Sequence, residues 1–396
     1  FSETVKGIDG EDFTNSGEAQ DCTFSSSAST GTQVTITANN CGEGTVVPTL
    51  TTASIADLAG NVGPAEDNSG GSVLVDRTKP GATWTALPES PTNSSSLTYQ
   101  VTFDESISGF SSADLSNAGT ATGCLFSPSS TATPGVYQVA VSSCSAGTLI
   151  LRLASGGVAD VAGNTGPDGA VDADSVVIDR SKPVATWSTL PDTPTSQDTL
   201  NYVLSFDKVV TGIDDSDFIL SGSATGCALD VQPGDAETDY AVAVSGCSAG
   251  TVIVTLKKDV ATDSAGNTGP SANRAASTIN IDRTAPTVTA LNTAATSPTN
   301  DATLTYTLNL SEAVTGLSAD SFQVGGDATG WSVSGVSGSG SSYVVTLSSD
   351  SPTDGTVYPI LSAGSMQDLA GNSGPTEEYN GESVSTDLTL PAVDSF

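Results

Sequence analysis

Four times the chain sets an aspartate four residues before an asparagine, with Ala-Gly directly ahead of the asparagine. The pairs are Asp57 and Asn61, Asp160 and Asn164, Asp263 and Asn267, Asp368 and Asn372. Two kinds of chemistry suit that spacing. Aspartate accepts hydrogen bonds from backbone just ahead of it, and glycine or asparagine tolerates positive φ, so a tight turn alone explains the motif. Alternatively, several side-chain oxygens brought to one point suit calcium, which takes about 6–8 oxygen ligands in irregular geometry. Catalysis finds no footing. The sequence contains no histidine, so neither a Ser-His-Asp nor a Cys-His arrangement exists, and carboxylates that recur in every repeat suit a scaffold better than a single active site. The chain reads as a non-enzyme.

The motif starts lie 103, 103 and 105 residues apart, a fixed period that marks an array of similar units. A second motif keeps the same beat: Asp76-Arg77-Thr78-Lys79-Pro80, Asp179-Arg180-Ser181-Lys182-Pro183 and Asp282-Arg283-Thr284-Ala285-Pro286. Taking these as joints divides the 396 residues into repeats 1–76, 77–179, 180–282 and 283–390, with 391–396 left over. The first repeat starts at a residue that aligns with Phe103, so it lacks opening strands. Pro391 to Phe396 in turn resembles the opening of a further repeat. The chain is expected to be a window on a longer array, or else a subunit whose copies lend strands head to tail.

Within a repeat the pattern is all-β. In the second, Leu97, Tyr99, Val101 and Phe103 alternate with polar neighbours, as do Tyr137, Val139 and Val141, then Leu149, Leu151 and Leu153. Trp84 and Trp187 hold equivalent places on the opening strand and read as edge packing rather than sugar-stacking platforms. Seven short strands in about 100 residues is the pattern of an immunoglobulin-like β-sandwich, and four in tandem are expected.

Six cysteines fall one pair per repeat in the first three: Cys22 and Cys41, Cys124 and Cys144, Cys227 and Cys247. Repeat symmetry selects these local pairings, each closing the open end of a hairpin, and disulfides place the protein in an oxidising, extracellular setting. In the fourth repeat Trp331 and Pro352 stand where the cysteines would be. Forty-five acidic against 11 basic residues give a net charge of −34, a surface that repels nucleic acid and anionic membranes and gathers cations. No apolar run is long enough to suggest a membrane span.

Leu310-Ser311-Glu312-Ala313-Val314-Thr315-Gly316-Leu317, then Asp320 and Phe322, then Asp368-Leu369-Ala370-Gly371-Asn372, resemble the bacterial immunoglobulin-like repeats of large surface adhesins. The resemblance implies a secreted or surface-anchored stalk, often stiffened by calcium, with host or surface glycans or proteins met through a tip beyond this sequence. Other copies of the chain or neighbouring repeats are the nearer partners. The cysteine pairs depart from the usual pattern of that family.

A sandwich of this kind brings the loop between its last two strands to the pole where the chain enters. Each joint aspartate should therefore meet the motif loop of the next repeat. The expected ligand sets are Asp76 with Asp160, Asn164 and Glu105; Asp179 with Asp263, Asn267 and Asp207; and Asp282 with Asp368, Asn372 and Glu312. Asp57 and Asn61 have no preceding joint. The arginines and lysines of the joints offer a competing use of the same aspartates, as ion pairs.

Overall fold

The structure is a computed structural model and describes residues 1–393. The contacts part it into two compact units, Phe1–Arg180 and Ser181–Phe396. Both are built from antiparallel strands. Among the described residues the helical content is limited to three single 3₁₀ turns, Ser112–Asp114, Asp215–Asp217 and Ala319–Ser321.

The second repeat, in the first unit, shows why the strands form. Every other residue of Ser96–Phe103 is buried, and Tyr99 and Val101 are fully so, while Ser96 and Thr98 face solvent. That period of two forces an extended chain with one wet and one dry face. Ser96–Phe103 lies between Ala82–Ala86 and Val136–Ser142, and Leu125–Ser130 completes the sheet. The opposing sheet pairs Leu115–Asn117 with Leu151–Leu153 and that strand with Val171–Asp172, while Gly147–Leu149 pairs with Val176–Ile178. Leu149, Leu151 and Leu153, all fully buried, fill the space between the layers with Val139 and Val141. This is the immunoglobulin-like arrangement of two antiparallel sheets over a common core.

The second unit repeats the scheme twice. Ala185–Thr189, Thr199–Phe206, Asp239–Ser245 and Ala228–Pro233 form one such sheet, and Phe218–Ser221 with Gly250–Leu256 anchors its opposite. In the fourth repeat Val288–Thr293, Thr303–Thr315 and Trp331–Ser349 pair in the same order. Separate buried clusters fill repeats two, three and four, and two smaller ones fill repeat one.

All three expected disulfides are present, Cys22–Cys41, Cys124–Cys144 and Cys227–Cys247. Each ties the two ends of a hairpin. In the fourth repeat the buried Trp331 occupies the place of the first cysteine, so a large apolar side chain stands where a covalent clamp is lost.

The tryptophans of the opening strands turn inward. Trp84 donates from Nε1 to Val171 O at 3.1 Å and meets Tyr99 edge-on at 5.9 Å, and Trp187 does the same with Arg274 O and Tyr202. The fourth repeat holds a surprise here. Simple alignment sets Ala290 opposite Trp84, but the bulge comes earlier in that strand, between Val288 and Ala290. Leu291 therefore pairs with Leu308 as Trp84 pairs with Val101, and Leu291 is 1% exposed. Residues 391–393 are exposed and carry no strand; the other three residues of the expected terminal strand lie outside the described residues.

Burial of Tyr99, Tyr202 and Tyr306 pushes each phenol up to about 12. The sign follows directly: the folded pKa lies above the ordinary value near 10, so the stability these groups contribute is whole below pH ~10 and is lost as pH rises toward 12. In an ultraviolet titration these three of the eight tyrosines should ionise last, together with alkaline unfolding. A single ordinary transition for all eight would contradict the packing.

Candidate metal centre

The motif loop is built by its own aspartate. In the second repeat Asp160 ends the strand Val158–Asp160, and its Oδ1 accepts from the N–H groups of Gly163 at 2.6 Å and Asn164 at 2.8 Å. Its Oδ2 accepts from Asn164 Nδ2 at 2.7 Å, and its backbone N–H donates to Asn164 O at 3.0 Å. Gly163 lies at φ +97°, where a side chain is strained. Gly166 passes so close to Pro80 that a Cβ would collide with its carbonyl oxygen. The turn reading of the sequence is therefore correct.

The same loop also makes the joint. Asn164 Nδ2 reaches back to the carbonyl of Asp76 at 3.0 Å, and Asn372 Nδ2 reaches Asp282 O at the same distance. In the second unit Ser196 N–H adds a backbone bond to Ala370 O at 3.0 Å. The basic residues of the joints serve their own neighbourhoods. Arg77 Nη1 donates to Cys41 O at 2.8 Å, while Lys79 pairs with Asp168 at 2.6 Å and Lys182 with Asp259 at 2.9 Å. The two lysine pairs are exposed, worth about 0–1 kcal/mol each.

With the basic groups engaged elsewhere, the acids converge. Asp76, Glu105 and Asp160 each bring a carboxylate oxygen within 4.8 Å of the other two, and Asp282, Glu312 and Asp368 form a second such trio. Three oxygens at most 4.8 Å apart leave a common point no farther than about 2.8 Å from each, close to the 2.3–2.6 Å range of calcium–oxygen bonds. The donor set is all hard oxygen. Burial, then the charges of Asp160, Asp76 and Asp104, hold the Glu105 carboxyl above its ordinary value, and Glu312 is raised by burial and by Asp368 and Asp282. Burial works on Asp160 in the same direction, but the hydrogen bonds from Asn164, Gly163 and Ala162 outweigh it and keep its pKa low. Asp160 is thus held as an anion by its own turn, while burial and the neighbouring acids raise Glu105 and Glu312.

The other expected ligands are placed differently. Asn164 and Asn372 act as donors that lock Asp160 and Asp368. Asp207 Oδ1 accepts from Val184 N–H at 2.8 Å, as Asp104 accepts from Gly81, so it fastens the opening strand rather than facing Asp263. Asp263 is bonded by Ala265, Asn267 and the ammonium of Lys208, and Asp57 by Asn61. Neither of them belongs to an acidic trio among the described residues. Asp179 ends the first unit, where its N–H donates to Thr92 O at 3.0 Å, whereas Asp207, Asp263 and Asn267 belong to the second. The sequence reading passed over Lys208, although aligning Glu105 and Glu312 in their repeats points straight to it.

Residues 282–386 match the family model of the bacterial Ig-like domain. The match takes in all three acids of the second trio, and the second repeat builds its own trio on an Ig-like fold of the same strand order. No curated relative matches the chain. Among solved structures, the bacterial integrin-binding protein invasin is 12% identical over 97% of this chain and 72% of its own, with a TM-score of 0.37. A crystal structure of the S-layer protein SbsC is 15% identical over 99% of this chain and 52% of its own, at 0.26. Scores this low carry no conclusion about function. No helix among the described residues is long and apolar enough to cross a membrane.

Removing the asparagine tests the loop without involving a metal. Asn164→Ala deletes the bonds to Asp160 Oδ2 and Asp76 O and should cost about 1–3 kcal/mol in chemical denaturation. An unchanged unfolding midpoint would show that the loop is held by something else.

Proposed function

We propose that the chain is a load-bearing extracellular array, a stalk or fibre of a bacterial surface adhesin, whose joints are set by calcium and whose repeats are clamped by disulfides. The four repeats, 1–76, 77–179, 180–282 and 283–390, act as its domains, a division supported by the separate buried clusters of each. One observation carries the calcium reading. The trio Asp76, Glu105 and Asp160 draws one acid from the end of repeat one and two from repeat two, and the trio Asp282, Glu312 and Asp368 does the same for repeats three and four.

An ion shared by such a trio would tie the end of one repeat to the pole of the next. Calcium suits this work because it accepts irregular oxygen shells completed by carbonyls and water. The three disulfides and the charge of −34 support an extracellular setting rich in cations. The function is structural, with no catalytic step, and any adhesive contact belongs to a separate tip. Nucleic acid is not among its partners.

A second reading is self-association by strand lending between copies of the chain. Regular fibres by electron microscopy, lost when residues 388–396 are removed, would support this reading; a strictly monomeric chain would end it.

Titration of the chelated protein with calcium, followed by calorimetry, should reveal two sites. Saturation at about 100 times the dissociation constant should stabilise the liganded unit by about 2.7 kcal/mol per site. Glu105→Gln together with Glu312→Gln should abolish both effects. Heat-unfolding curves identical with calcium and with chelator would refute the calcium reading.

A further inference from the structure

The position that is Glu105 in the second repeat and Glu312 in the fourth is Lys208 in the third; Glu105 and Lys208 lie two residues ahead of the short strands Ile107–Ser108 and Val210–Thr211, and Glu312 lies within the long strand Thr303–Thr315. The exchange reverses the sign of the charge at the one place where it matters. Lys208 Nζ lies 3.2 Å from Asp263 Oδ2, 2.9 Å from Ser181 O and 2.8 Å from Ser181 Oγ. An ammonium has three protons to donate, and these oxygens are among those within its reach. The Asp263 side chain is 2% exposed and that of Lys208 23%, so the pair is largely shielded from solvent, unlike the surface lysine pairs of Lys79 and Lys182.

We infer that Lys208 is a tethered substitute for the divalent cation, so that the third repeat's loop is latched permanently while those of the second and fourth are latched only when metal is present. The comparison rests on the calcium reading of the two trios; the latch itself rests on the Lys208 geometry. The ammonium reaches the same carboxylate that anchors the motif loop, since Asp263 is to repeat three what Asp160 and Asp368 are to repeats two and four. It also reaches Ser181, the first residue of the second unit. A metal ion would do both jobs with two positive charges and a larger shell. A lysine does them with one charge and no dependence on a metal ion. The array would then combine one constitutive latch with two that respond to calcium.

The test uses the full chain in three forms: wild type, Lys208→Met and Lys208→Glu. Calcium binding is read by calorimetry and thermal unfolding is followed with calcium and with chelator. Lys208→Met should lower the midpoint of the second unit by several degrees, equally in both media, and leave the stoichiometry at two. Lys208→Glu should raise the stoichiometry from two to three and make the lost stability recoverable by calcium. The reverse exchange, Glu105→Lys, should lower the stoichiometry to one and raise the chelated midpoint of the first unit; it covers the case in which Lys208→Glu fails to fold. A wild type that binds no calcium defeats the metal reading, and the Lys208→Met result then judges the latch alone. An unchanged midpoint in Lys208→Met, or a Lys208→Glu chain that folds and still binds two ions, overturns the inference.

Discussion

Carboxylates crowded at the pole of a sandwich are the constraint on which the joints depend. Asp160 is held in place by its own turn, and Asp76 by the path of the chain into the next repeat. Glu105 is carried in by the loop that follows a central strand. None of the three chooses its position freely, so their mutual repulsion is imposed by the fold. An array meets that strain with a positive charge. On the reading proposed above the charge comes from outside in two repeats, and in the third it is part of the chain as Lys208. The same backbone frame thus accepts two solutions of equal sign and different dependence on the medium.

Elsewhere the repeats show how much a sandwich can vary without changing its order of strands. A disulfide closes the outer hairpin three times, and an indole takes the cysteine's place the fourth time. Trp84 and Trp187 fill the space beneath the opening strand, and Leu291 does so after a shifted bulge. The invariants are the apolar alternation facing Tyr99, Tyr202 and Tyr306, and the aspartate turn. The first makes the core and the second aims the joint.

Much of this was legible in the residues. Leu97, Tyr99, Val101 and Phe103 could be placed as one buried face because period-two alternation is a local property. The disulfides followed from repeat symmetry. The Asp160 turn and its approach to Asp76 were legible as well, since the motif and the joint recur in step. What sequence did not disclose is where a side chain points once it arrives. Asp104 and Asp207 hold the same place in successive repeats and turn to the Gly81 and Val184 N–H groups, while the residue that faces the motif loop is the next one along, Glu105 or Lys208. Lys208 was missed because attention to oxygen ligands passes over a cation in their midst. Leu291 was missed because a bulge moves a strand's phase by one residue, which alignment by period does not register.

The central claim is that each trio of acids is a cation site at a joint. The most direct measurement is anomalous X-ray diffraction from crystals grown with terbium as a calcium substitute. The account predicts one peak within bonding distance of Asp76, Glu105 and Asp160 and another at Asp282, Glu312 and Asp368, with none beside Lys208 and Asp263. Two empty trios, or a peak at the Lys208 position, would contradict it.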